Sequence, residues 1–137
     1  VQYILGNYKQ SIDYCTKALD MNTKLGYKHA IANNLNNLGN IYLNEKEFSK
    51  AKTYYSKALA LNQSINNEIS LANNYMNIGI VYYYEGKYAQ TIKFFKKTLD
   101  IDKRLGNKKA TSTILYNLAE LNINLADSVS FSQHQRQ

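Results

Sequence analysis

The chain has no proline and no tryptophan, only one cysteine and two histidines, and no long apolar run in its 137 residues. Absence of proline argues against a β sandwich with proline-marked edges and favours long uninterrupted helices. The single Cys15 excludes an internal disulfide and reads as a small buried apolar residue. One thiol with the distant His29 and His134 makes no metal site. No apolar stretch approaches the roughly 20 residues that span a bilayer, and the first residues lack a signal-peptide pattern. No membrane insertion is therefore expected, and the cytoplasm is the expected compartment. Neither histidine has a nucleophile or carboxylate partner indicated by the sequence, and no glycine-rich loop is arranged to cradle a phosphate. Asp100 and Asp102, near a predicted helix end, read as surface partners for Lys103 or Arg104. The chain does not read as an enzyme: no catalytic residue, cofactor, metal or small-molecule substrate is expected.

What the chain does contain is 13 tyrosines, many asparagines and a formal charge of +7. Richness in Asn, Lys, Tyr and Ile can follow from AT-rich codons alone, so only placement gives the asparagines meaning. "NNLNNLGNIY", residues 33–42, shows the problem. Leu35, Leu38 and Tyr42 fall at helical spacing, yet each Asn costs a helix up to about 0.7 kcal/mol against Ala.

The sequence repeats. "YKQSIDYCTKALDM" from Tyr8, "FSKAKTYYSKALAL" from Phe48 and "YAQTIKFFKKTLDI" from Tyr88 superpose without a gap at a spacing of 40. Small Ser11, Ala51 and Thr91 correspond, as do Cys15, Tyr55 and Phe95, then Ala18, Ala58 and Thr98. A second series pairs Leu38, Ile78 and Leu118, with Gly39, Gly79 and Ala119 beside them. Apolar residues at three- and four-residue steps mark both series as amphipathic helices. The pattern predicts first-type helices near 29–44, 69–84 and 109–125, and second-type helices near 8–25, 48–65 and 88–105. Gly26, Asn66 and Gly106 share one place after the second helix, where a left-handed residue is wanted. The fold class is all-α, built from antiparallel helix pairs.

Leu38, Gly39, Tyr42, Ala51, Tyr55 and Ala58, repeated as Ile78, Gly79, Tyr82, Thr91, Phe95 and Thr98, resemble the tetratricopeptide repeat signature. The resemblance covers about residues 1–125. It departs from the usual pattern in carrying Leu35, Tyr75 and Leu115 at the place of the family's Trp, and in lacking its Pro. The period of 40 also exceeds the usual 34, as in the long-helix variety of kinesin light chains, bacterial peptide-pheromone receptors and sensor-kinase repeat domains. The resemblance implies a right-handed superhelical array over residues 1–126: a partial first repeat, two full repeats and the first helix of a fourth. Residues 1–5 align with 41–45, so the chain is expected to open inside a first-type helix, as an excerpt of a longer array. Residues 127–137 show no helical pattern, Val129 and Phe131 alternate, and an irregular polar tail is expected there.

In that family the first helices line a concave groove. The resemblance assigns to it Asn33, Asn36, Asn37, Asn40 and Asn44 from one helix and Asn73, Met76, Asn77, Ile80, Tyr83 and Tyr84 from the next. Thr113, Tyr116, Asn117, Glu120, Ile123 and Asn124 come from the third. Asn37, Asn77 and Asn117 form a column at the repeat spacing, and relatives use an Asn there to hold the backbone of a bound peptide. A carboxamide suits this, because it offers donors to a C=O and an acceptor to an N–H. Met76, Ile80, Tyr83, Tyr84 and Tyr116 would supply apolar pockets. Asn34 and Asn74, on another face, go to helix contacts or solvent. Residues 30–44 and 69–84 carry no charge, and 110–125 only Glu120, so the +7 lies on second helices and turns. Lys93, Lys96, Lys97, Lys103, Arg104, Lys108 and Lys109 are the densest part, and such a basic back usually keeps a protein soluble.

The expected function is a peptide- or protein-binding module within a larger regulatory or scaffold protein. A structural alternative is self-association through the open repeat ends. Nucleic-acid binding by the basic face is the weaker alternative, because Arg is scarce and the tyrosines recur at repeat core positions instead of interleaving with Lys.

Overall fold

The computed structural model describes the backbone of residues 2–136 and the side chains of residues 7–136. Among the described residues there are six helices and no strand. They are α1 (Gln2–Leu25), α2 (Lys28–Asn44), α3 (Phe48–Ser64), α4 (Glu68–Tyr84), α5 (Tyr88–Arg104) and α6 (Lys108–Gln135). Each helix packs on the next in sequence order, most extensively α2 with α3 and α4 with α5. This is an all-α helical repeat solenoid. No described helix is long and apolar enough to cross a membrane.

Left-handed residues close the turns. Gly26, Asn66 and Gly106 have φ of 71°, 55° and 71°, and Lys46 and Gly86, between paired helices, have 60° and 75°. At Asn66 the amide reaches Gln63 O at 3.2 Å, and the next amide, of Asn67, reaches Asn62 O at 3.0 Å. The two bonds satisfy carbonyls that a helix end otherwise leaves open. Asn67 and Asn107 then cap α4 and α6, their side chains accepting from the amides of Ser70 and Ala110.

The two end helices depart from expectation. Position 126 corresponds to Lys46 and Gly86, but it holds Ala, the strongest helix former. Without a left-handed stop, α6 continues to Gln135, so most of the expected irregular tail is helix. Val129 and Phe131 are both exposed on it, and their alternation reflects no strand. At the other end α1 starts at Gln2, and the expected break before Tyr8 is absent. The turns elsewhere are held by full-length helices packed on each other. Extending a helix is easier than nucleating a new one.

The repeated small–large pairing sets the helix spacing. A Cβ on Gly39 would lie 2.5 Å from Tyr55 Cε1, and one on Gly79 would lie 2.8 Å from Phe95 Cδ1. Tyr55 is fully buried with Ala51, Ile78 and Val81; Phe95 is buried with Leu99, Ile114, Leu118 and Leu121. Outside this core, Tyr42 stacks on Tyr54 at 5.4 Å and Tyr82 on Phe94 at 5.5 Å. Cys15, at the position of Tyr55, is half-buried instead of buried. Lysines lie over the outer rings: Lys52 is 4.7 Å from the Tyr82 centroid, and Lys97 is 5.1 Å from that of Tyr75. Such contacts contribute about 0.5–1 kcal/mol each at exposed sites.

Two outcomes follow from this packing. Gly39→Ala gains up to about 1 kcal/mol in helix propensity but overpacks against a ring with no room to move, at about 1–3 kcal/mol. A net loss of about 1–2 kcal/mol is expected in urea unfolding, and Gly39→Ala with Tyr55→Leu should recover part of it. The Tyr55 hydroxyl donates to Asn40 Oδ1 at 2.6 Å, and burial pushes its pKa from 10.0 up to about 12. The folded chain therefore keeps this proton where the unfolded chain has lost it. The resulting stability is whole below about pH 10 and falls as pH rises from 10 to 12. Urea midpoints measured across that window should fall less steeply in Tyr55→Phe.

Candidate functional site

The asparagines divide between two jobs. Asn22 Nδ2 donates to Asn34 Oδ1 at 2.7 Å, and one repeat on, Asn62 Nδ2 donates to Asn74 Oδ1 at 2.7 Å. Asn62 and Asn74 are buried. From Asn74 the network runs to Asn36 Oδ1 at 3.3 Å, which also accepts from Asn77 Nδ2 at 3.0 Å. Four amides thus tie α3, α4 and α2 together. Asn34 and Asn74 make the helix contacts expected of them, but Asn36, Asn77 and, through Tyr55, Asn40 are also engaged internally. Asn77 donates one N–H to Asn36 and keeps the other N–H and its side-chain carbonyl for a further partner.

Most of the remaining candidates gather between α4 and α6. A cavity of roughly 570 Å³ is lined by Asn73 and Met76 of α4 and Ala110, Thr113 and Ile114 of α6, with Thr98 and Asp102 of α5 beneath. A second, of roughly 280 Å³, brings together Ile80, Tyr83, Tyr84, Asn117, Glu120 and Asn124 over Phe95 and Leu121. Met76 and Ile80 are half-buried and rest on the core. Tyr84 stacks against Phe48 at 6.4 Å and Tyr83 leans on Tyr88 at 5.5 Å, so both rings have fixed backing while their faces stay exposed. Tyr116, also exposed, belongs to neither cavity. Its hydroxyl donates to Glu120 Oε1 at 2.8 Å, and that bond, with the carboxylate's charge and slight burial, raises its pKa. Asn33 and Asn37 are exposed on α2, outside both cavities; Asn117 is half-buried.

Asp102 was not among the expected groove residues. It pairs with neither Lys103 nor Arg104; Arg104 instead reaches Glu68 across the helix pair. Asp102 is only 7 % exposed and faces the larger cavity. Burial alone raises its pKa, with no hydrogen bond or neighbouring charge contributing. A signal was available: at the repeat spacing Asn22 and Asn62 become Asp102, and their partners Asn34 and Asn74 become Ile114.

Comparison with known proteins agrees with the repeat fold. The family model for the tetratricopeptide repeat matches residues 1–64 and 70–127. The chain belongs to the tetratricopeptide repeat family. Among solved structures, BtubC (BKLC) from P. vanneervenii is 21 % identical with a TM-score of 0.72, over 87 % of this chain and 50 % of that one. Aspartyl phosphate phosphatase F from Bacillus subtilis is 14 % identical with a TM-score of 0.84, over 96 % and 34 %. A signal transduction ATPase with a tetratricopeptide repeat sensor, from Pyrococcus horikoshii, is 19 % identical with a TM-score of 0.77, over 85 % and 18 %. The chain spans half or less of each of these structures, and the likeness is one of fold. No curated protein matches the sequence. This fold typically serves protein interaction without catalysis, and no cluster of metal-binding side chains occurs among the described residues.

The unpartnered carboxylate has a measurable cost. Its raised pKa means the folded state holds the proton more tightly than the unfolded chain, so Asp102 weakens the fold at neutral pH and ceases to as pH falls. Asp102→Asn should be more stable than the parent in urea at pH 7, and the two midpoints should converge below the ordinary carboxylate range near pH 4.

Proposed function

We propose that the chain is a peptide-binding module that holds an extended segment of a partner protein along the groove between α4 and α6. The observation that carries this reading is the pair of adjoining cavities between α4 and α6, lined by Asn73 and Met76 in one and by Ile80, Tyr83, Tyr84, Asn117 and Glu120 in the other. Asn73 and Asn117 each present a carboxamide with no hydrogen-bond partner among the described residues, beside an apolar wall. That combination suits main-chain hydrogen bonds with side chains seated in pockets. Tyr83, Tyr84 and Tyr116 supply most of the exposed contact area, and rigid aromatic rings are the commonest anchors of such interfaces.

Several lysines of the basic face lie over Tyr and Phe rings, which gives them a packing role and weakens the nucleic-acid reading. Membership of a longer regulatory or scaffold protein, cytoplasmic location and absence of catalysis are part of the same proposal. Resemblance in fold to a protein named as a phosphatase transfers no activity at 14 % identity.

A peptide-library selection against the chain tests the reading. One enriched motif is expected, bound about 5–30-fold more weakly by Asn117→Ala, the loss of a hydrogen bond worth roughly 1–2 kcal/mol. Tyr84→Ala should weaken it at least as much. Selection of no motif, or binding indifferent to both substitutions, would overturn it.

A further inference from the structure

The three junctions between repeats occupy one structural position and solve it in two ways. At the first two, a side-chain amide donates to another across the helices at 2.7 Å, Asn22 to Asn34 and Asn62 to Asn74. Neutral amides that satisfy each other are tolerated in a buried place. At the third junction both partners change together. Ile114 can neither donate nor accept, and Asp102 brings a carboxylate on a residue that is only 7 % exposed. Were packing the only requirement, two apolar residues would serve better, because a buried charge without a partner destabilises the fold.

The carboxylate opens onto the cavity of roughly 570 Å³, whose walls are mostly apolar: Ile69, Met76, Leu105 and Ile114. The one basic residue in the lining, Lys109, is exposed in the first turn of α6 and forms no ion pair with Asp102 among the described residues. A charged end beneath an apolar sleeve matches one kind of group: a cation on a short hydrocarbon stem. We propose that this cavity takes the side chain of a lysine or arginine in the bound segment, with Asp102 as counter-ion and Met76, Ile69 and Ile114 around the methylenes. The inference rests on the groove being a peptide site, and it adds that the partner is basic at one position. A groove whose helices carry almost no charge thereby gains a strict requirement at one point. The neutral amide pairs at the other junctions make no such demand.

The probe that tests it is n-butylammonium, with n-butanol as its uncharged counterpart, titrated into the chain while the methyl signals of Ile114 and Ala110 are followed by NMR. Saturable shifts are expected with the ammonium. Binding should be about tenfold or more weaker both for n-butanol and for Asp102→Asn, the loss of one charge-assisted contact. Asn occupies the matching place at both other junctions, so this variant is expected to fold, and its methyl spectrum without probe checks that directly. Equal binding by the two proteins, or no response to the ammonium, overturns the inference. The peptide selection separates the two proposals. A selected motif without a basic position, alongside no ammonium response, removes this inference and leaves the groove reading; ammonium binding without any selected peptide overturns the groove reading and with it the assignment of the cation to a bound segment.

Discussion

Close approach of a glycine to an aromatic ring governs the solenoid. Gly39 beneath Tyr55 and Gly79 beneath Phe95 let the two helices of each pair approach until a single added carbon would collide. Packing at this density leaves little freedom in helix angle or register. The same contact places the Tyr55 hydroxyl against Asn40, so it links the core to the face above it. It also aligns successive first helices, which allows side chains from α4 and α6 to share cavities. The corresponding residue of α6 is Ala119, and it is exposed.

The asparagines are both scaffold and surface. Asparagine weakens a helix by up to about 0.7 kcal/mol, but each buried amide bond returns about 0.5–1.5 kcal/mol net. The network from Asn62 through Asn74 and Asn36 to Asn77 therefore offsets much of the cost of its own members. Asn33, Asn37, Asn73 and Asn117 take no part in it. Among the described residues their helical cost has no internal compensation, as the proposed groove requires of residues that would meet a peptide. Asp102 differs more sharply, since a carboxylate on a residue only 7 % exposed stands where the other junctions hold an amide.

Much of this was legible from the sequence, because the repeat carries its own punctuation. Gly26, Asn66 and Gly106 mark left-handed turns, and the structure has positive φ at all three. Ten of the twelve helix boundaries fall within one residue of where apolar spacing and turn residues put them; the start of α1 and the end of α6 do not. The course of α6 beyond Leu125 was not legible from hydrophobic spacing, because an exposed helix has no apolar stripe to betray it; the clue was Ala126 in place of a turn former. Asp102 was misread because Lys103 and Arg104 follow it in sequence. Neighbours one and two residues apart on a helix do not face each other, and Arg104 finds Glu68 on another helix instead. Asn37, Asn77 and Asn117 share the repeat spacing, but spacing cannot distinguish an amide that is free from one that another asparagine already holds.

The central claim is that the amides have separate duties, and the side-chain NH₂ signals of the asparagines report on that directly. They can be followed by NMR in the free chain and with a saturating selected peptide. The account predicts slow solvent exchange for Asn62 and Asn74 in both states, with large shifts on binding at Asn73 and Asn117. Fast exchange at Asn62 and Asn74 in the free chain, or shifts confined to residues outside the groove, would contradict it.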